Sequence, residues 1–139
     1  MEANQAQQIF DEERYAGFIK RIIAAFIDLL LVANVGRIVG SMIFSRESLM
    51  LALFSFTLGL VYFSYMESSK QQGTIGKIFL KIKVTDLEGK RINIFKAILR
   101  YFLKFLSVVL IGIGLLMILW TDRKQGLHDL IAKTLVINK

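Results

Sequence analysis

Apolar residues fall in three long runs along this chain. The first extends from Phe18 to Val35 and continues beyond Arg37 through Gly40 to Phe44. The second, Leu49 to Met66, has no charged residue in its 18 positions. The third, Phe105 to Trp120, has 16 residues with Gly112 and Gly114 at its centre. Because about 20 apolar residues cross a bilayer as a helix, spans are predicted at about 18–44, 49–66 and 102–120. Only Ser45-Arg46-Glu47-Ser48 joins the first two, so they are predicted to be antiparallel neighbours. As a straight helix the third run covers about 24 Å, slightly short of the hydrocarbon core. It either crosses once or bends at Ile111-Gly112-Ile113-Gly114 and re-enters. Arg123, Lys124, Lys133 and Lys139 behind it, and the strand-like Thr134–Ile137 that needs a pairing partner, favour re-entry.

The stretch between the second and third runs has another pattern. Residues 67–104 hold nine basic side chains against three acidic ones, which places the stretch on the cytoplasmic side and, two crossings earlier, the N-terminus as well. Ile78–Thr85 alternates imperfectly, Asp86-Leu87-Glu88-Gly89 is a turn signal, and Lys90–Ile94 can return as a strand, so a surface hairpin is expected within 67–96. From Ile94 the period becomes helical. Ile94, Ile98, Tyr101, Phe102 and Phe105 share one face, and Lys96, Arg100 and Lys104 another. The fold class is therefore an all-α membrane protein. It comprises a small bundle with two clear spans, a third span or re-entrant hairpin, and a short cytoplasmic β-hairpin. Residues 17–139 form one membrane domain behind a polar tail, 1–16, with an acidic cluster at Asp11, Glu12 and Glu13.

Composition narrows the function classes. Of 139 residues, 55% are hydrophobic and 21% charged, and mean hydropathy is +0.55. There is no cysteine, no proline and one histidine. Disulfides, thiolate metal sites and His clusters are excluded, and no cofactor or metal is expected. The net charge of +7 lies mostly between apolar runs, where it orients a membrane protein, so no nucleic-acid partner is expected. The tail lacks the basic start and short apolar core of a signal peptide, so the first run is expected to remain as an anchor. No internal repeat supplies the paired halves of a full secondary transporter, so transport would require an oligomer. No nucleophile–base pair or carboxylate pair suggests an enzyme.

The candidate chemistry lies in a few polar residues. Asp28 sits mid-span, where an aspartate costs about 2.5–3.5 kcal/mol on the insertion scale; such acids face a bundle interior and have a partner. Arg21 shares its helix face two turns away, about 10 Å along the axis, too far for direct pairing. A water, an ion or a group from another helix would have to bridge them. Asp28 is then either a proton or cation relay, or part of a buried polar network holding the helices in register. In Gly126-Leu127-His128-Asp129, Asp129 can cap a helix starting at Leu130, and His128 can sense protons near neutrality. Gly73-Thr74-Ile75-Gly76-Lys77 lacks the spacing and the Ser or Thr of a phosphate loop, so a turn is expected there. The basic cluster can also attract anionic lipid.

Together these motifs resemble the RDD family of membrane proteins, named for an arginine and two aspartates. Tyr15-Ala16-Gly17-Phe18 leading to Arg21 and Asp28 resembles the family's first helix. Gly73–Lys77, followed by Val84 and Gly89, resembles its central Gly-x-Thr-x-Gly-Lys region, with Ile75 where many members have proline. Arg100, Gly126–Asp129 and Thr134 match its C-terminal half. The resemblance makes Asp129 the second aspartate, with Asp122 as the alternative. It implies a bacterial inner-membrane protein with one of two functions. The leading expectation is cation or proton translocation, including Na⁺/H⁺ exchange, through Arg21, Asp28 and Asp129, with His128, Arg100, Asp122, Thr74 and Lys77 as secondary candidates. The alternative is a non-transporting accessory or scaffold subunit, in a homo-oligomer or beside another membrane protein.

Overall fold

The computed structural model of the chain describes residues 14–45, 48–110 and 112–139. The acidic cluster 11–13, the Arg46-Glu47 link and Ile111 of the expected bend lie outside the described residues.

Among the described residues, helix α1 (Phe18–Ser41) and helix α2 (Leu49–Ser68) are the two single helices long and apolar enough to cross a membrane. At 1.5 Å per residue they extend about 36 and 30 Å. Ser48 starts α2 by accepting a hydrogen bond from Leu51 N at 3.2 Å, a side-chain N-cap. Along α1 the buried positions are Arg21, Ala24, Asp28, Val32, Gly36 and Gly40, a single stripe at three- and four-residue spacing. Small residues let the two backbones approach. Carbon added at Gly36 would meet Ser55, and at Gly40 would meet Leu51 and Phe54. Contacts run down α2 as they run up α1, so the pair is antiparallel. The remaining faces are apolar and uncovered by this chain, among them Phe26, Leu29 and Val61.

After α2 the short helix α3 (Ile75–Phe79) lies against α1, and strand β1 (Ile82–Asp86) follows. Helix α4 (Ile94–Val109) then leads to the one-turn α5 (Ile113–Leu116), a 3₁₀ turn (Met117–Leu119), helix α6 (Leu127–Ala132) and strand β2 (Thr134–Asn138). The strands form a two-stranded antiparallel sheet, from Ile82 opposite Asn138 to Asp86 opposite Thr134. Tyr15 bridges Ile137 and Ala16 N donates to Val136 O at 2.9 Å. The start of α1, the end of α2, the start of α4 and the C-terminal strand thus share one end of the bundle. Ala16, Ala24, Ile82, Val84, Ile92, Ala97 and Val136 form the apolar core there.

One expectation changes. The surface hairpin does not form. The Asp86 carboxylate does close the turn, accepting from Glu88 N at 3.0 Å and Lys90 N at 2.7 Å, and Gly89 takes φ +81°. No return strand follows, because Asn93 accepts from Lys96 N at 2.8 Å and starts α4. The C-terminal run fills the place beside β1 instead, and Ile78 belongs to α3.

The facing of α4, left open by its periodicity, is decided by packing. Its buried residues are Ala97, Arg100 and Ser107, whereas Phe95, Phe102 and Phe105 are exposed. The charged stripe looks inward and the apolar stripe outward, the arrangement expected where the solvent is hydrocarbon.

The last apolar run follows the bent path that its flanking charges favoured. Its two halves are bent by 113°, with Gly112 at φ +70° between them. Because β2 returns to β1, the chain that leaves the sheet end along α4 comes back to it after the bend.

Candidate functional site

The sheet end of the bundle encloses a chain of charges. Asp129 is completely buried and accepts from Arg21 Nη1 on Oδ2 and from Arg100 Nη1 on Oδ1, both at 2.5 Å. Arg100 Nε donates to Glu67 Oε2 at 3.0 Å, and its Nη1 also donates to the Thr134 hydroxyl. Glu67 Oε1 accepts from Lys104 at 2.7 Å and from Lys77. Lys104 lies 5.1 Å from the centre of the Phe63 ring. One network thus joins α1, α2, α3, α4, α6 and the first residue of β2. Charges buried this deeply persist only when paired and hydrogen-bonded.

Helix geometry delivers these side chains. Arg21 stands in the first turn of α1, and its Nε donates to Ala16 O at 3.2 Å. Glu67 closes α2 in phase with buried Gly59 and Ser64. Asp129 is the third residue of α6, and its Oδ2 also accepts from Gly126 N at 3.2 Å. It therefore caps a helix beginning at Leu127, three residues earlier than the capping scheme read from sequence.

Asp28 belongs to a separate site. Its Oδ1 accepts from the Tyr62 hydroxyl and from Gly76 N, each at 2.9 Å, and its Oδ2 from the Thr74 hydroxyl at 2.5 Å. Tyr62 in turn accepts from Ile75 N at 3.0 Å. The Gly73–Lys77 segment, expected as a surface turn, is what satisfies the intramembrane acid. Gly76 is required by proximity, since a Cβ there would press into the carbonyl of Ala24. Arg21 and Asp28 share a helix face but no partner: Arg21 is held by Asp129, Asp28 by α2 and α3.

The other candidates divide. Arg100, Lys77 and Thr74 are inside these two sites, whereas Asp122 is exposed and apart from both. His128 is buried, with Nε2 3.4 Å from Asp129 Oδ1 and Nδ1 without a partner among the described residues. Burial, reinforced by nearby Arg100, Lys104 and Arg21, pushes its pKa down to about 3, so it is neutral near pH 7 and does not sense protons there. Burial also lowers Lys77 to about 7, against the pull of Glu67. Burial alone would raise Asp129, but Arg100, His128 and Arg21 outweigh it and hold it well below the usual carboxylate range.

Sequence reasoning missed Glu67, Lys104 and Tyr62. Glu67 was counted only as one acid in a basic stretch. Its signal was its place, immediately after an uncharged run and in helical phase with Ser64.

The RDD family's sequence profile matches residues 15–133. The chain is 39% identical over 87 residues to the uncharacterized protein YxaI of Bacillus subtilis (strain 168), covering 63% of this chain and 57% of that protein. It is 36% identical over 64 residues to the uncharacterized protein RP437 of Rickettsia prowazekii (strain Madrid E), covering 46% and 35%. The aligned part is thus little over half of the one relative and about a third of the other. No solved structure matches. The matched span contains both the charge network and the Asp28 site, and the chain belongs to the RDD family.

Proposed function

We propose that this chain is a non-transporting accessory or scaffold subunit of a bacterial cytoplasmic-membrane assembly, with its sheet end in the cytoplasm. The observation that carries this reading is the donor shell of Asp28. Tyr62, Thr74 and Gly76 N already satisfy both carboxylate oxygens, whereas a bound cation needs several free oxygen ligands. The neighbouring network has the same bias. Four cations, Arg21, Lys77, Arg100 and Lys104, surround two carboxylates, Glu67 and Asp129, and such a potential repels a passing cation. Orientation follows from the basic residues gathered at the sheet end. The uncovered faces of α1 and α2 are available to lipid, a second copy or another membrane protein.

A second reading, proton translocation, has one observation in its favour. Lys77 is buried against Glu67 with its pKa near 7, suited to exchanging a proton. Proteoliposomes with an internal pH dye distinguish the two. A subunit gives no flux above empty liposomes when Na⁺, K⁺ or Li⁺ is added, and Asp28→Asn lowers its thermal stability. Flux in the native chain that disappears in a well-folded Asp28→Asn or Lys77→Met variant overturns the subunit reading.

A further inference from the structure

Helix α1 packs on α2 and α3, and α4 packs on α2 and α6, leaving space between α1 and α4. That space is a cavity of about 350 Å³, at the lower end of the ~300–1,000 Å³ typical of small-molecule sites. Ile22, Ala25 and Leu29 of α1 wall one side, and Phe105 and Val108 of α4 the other. Its remaining lining includes Arg21, Lys77, Arg100 and Lys104, from the sheet end of the bundle.

The two kinds of lining select one kind of occupant. Apolar walls give a free inorganic anion nothing to replace its hydration, and four cations give a plain hydrocarbon nothing to pair with. Only three carboxylates, Asp28, Glu67 and Asp129, stand against those cations, so positive charge is in excess when Lys77 is protonated. Arg21 adds an independent sign. It is only 8% exposed, and its Nη2 has no hydrogen-bond partner among the described residues, although a buried charged N–H normally has one. Lys104 keeps a quarter of its side chain exposed.

We propose that this crevice binds an anionic phospholipid, with an acyl chain between α1 and α4 and the phosphate on Lys104 and Arg21. The charged end of the crevice faces the sheet end and its apolar end runs deeper into the bundle, the order in which a headgroup meets its acyl chains. Arg21 and Lys104 stand near the sheet end, and Ala25, Leu29 and Val108 stand deeper along their helices. The inference requires insertion in a membrane but not the accessory-subunit reading, because ion flux and lipid retention are read separately.

The test uses delipidated full-length protein in neutral detergent, probed by native mass spectrometry and thermal unfolding. Phosphatidylglycerol, phosphatidylcholine and inorganic phosphate are compared. Phosphatidylglycerol is expected to remain as a one-to-one adduct under activation that removes phosphatidylcholine, and to raise Tm. Phosphate alone is expected to do neither. Ala25→Phe and Val108→Phe each fill the crevice from an outward position and should weaken phosphatidylglycerol retention about tenfold, with far-UV circular dichroism confirming the fold of each. Lys104→Gln should reduce the preference for phosphatidylglycerol over phosphatidylcholine. Equal retention of the two lipids by the native chain overturns the proposal, as does undiminished retention in a folded crevice-filling variant. A phosphate effect equal to that of phosphatidylglycerol assigns the cations to a free anion and overturns the lipid.

Discussion

Asp129 neutralises two buried guanidiniums, so its removal exposes the cost of burying them. Asp129→Ala leaves Arg21 and Arg100 without that carboxylate and should destabilise the fold by about 3–5 kcal/mol, measured by unfolding in detergent. Asp28→Asn is milder. It keeps the oxygen that accepts from Tyr62 and Gly76 N but puts a donor-only NH2 where the other oxygen accepted from the Thr74 hydroxyl, a loss of about 1.5–3 kcal/mol. Titration has a definite sign at two residues. Between pH 6.5 and about 3 the unfolded chain protonates His128 while the folded chain holds it neutral, so stability falls as pH falls through that window. Asp129 adds to the loss below its ordinary value of 3.8. Lys77 acts between about 7 and 10.5. There the unfolded chain keeps a proton that the folded chain has released, so stability rises with pH. Thermal unfolding across pH should show both slopes. Lys77→Met should flatten the alkaline one, while Glu67 keeps Arg100 and Lys104 as partners.

At the scale of elements, close approach decides. An alanine in place of glycine inside a helix ordinarily stabilises by about 1 kcal/mol. Gly76→Ala should do the reverse, because its methyl would enter the Ala24 carbonyl and lift α3 from α1. The loss should be about 1–3 kcal/mol, the usual scale for overpacking. The Gly76 N bond to Asp28 would break with it. Hydrogen exchange at Gly76 should therefore accelerate more in this variant than in Gly17→Ala, where a Cβ meets nothing within 4 Å. The same reasoning explains why the periodicity of α4 was legible and its facing was not. Period fixes which residues share a stripe, but whether the apolar or the charged stripe looks inward depends on the solvent outside and the partners inside, here Glu67 and Asp129.

For the whole molecule, the sheet fixes how the chain is threaded. Because β2 pairs with β1 and Tyr15 bridges Ile137, the beginning and end of the described chain lie together. The chain has no cysteine, so single cysteines report topology directly. In intact spheroplasts, an impermeant maleimide should spare cysteines placed at Lys83 and Lys139 and label one at Ser45. Labelling of Lys139 with sparing of Lys83 would separate the two strands and exclude the re-entrant path.

The last run stayed open in sequence between a single crossing and a bend at Gly112, and Asp129 was singled out by the family resemblance. The sequence by itself determined the two spans, the antiparallel pairing across a short link, and Arg21 and Asp28 as polar residues to explain. These follow from run length, loop length and the cost of charge in hydrocarbon, all local properties. Tertiary structure alone decided the partners. Arg21 and Asp28 share a helix face, yet each carboxylate goes to whichever donors the packed helices and the Gly73–Lys77 turn bring within reach. Glu67 became a centre only when α2 ended beside α3 and α4. The strand-like tail displaced the expected hairpin for a similar reason: alternation marks a strand, but its partner is set by where the chain returns.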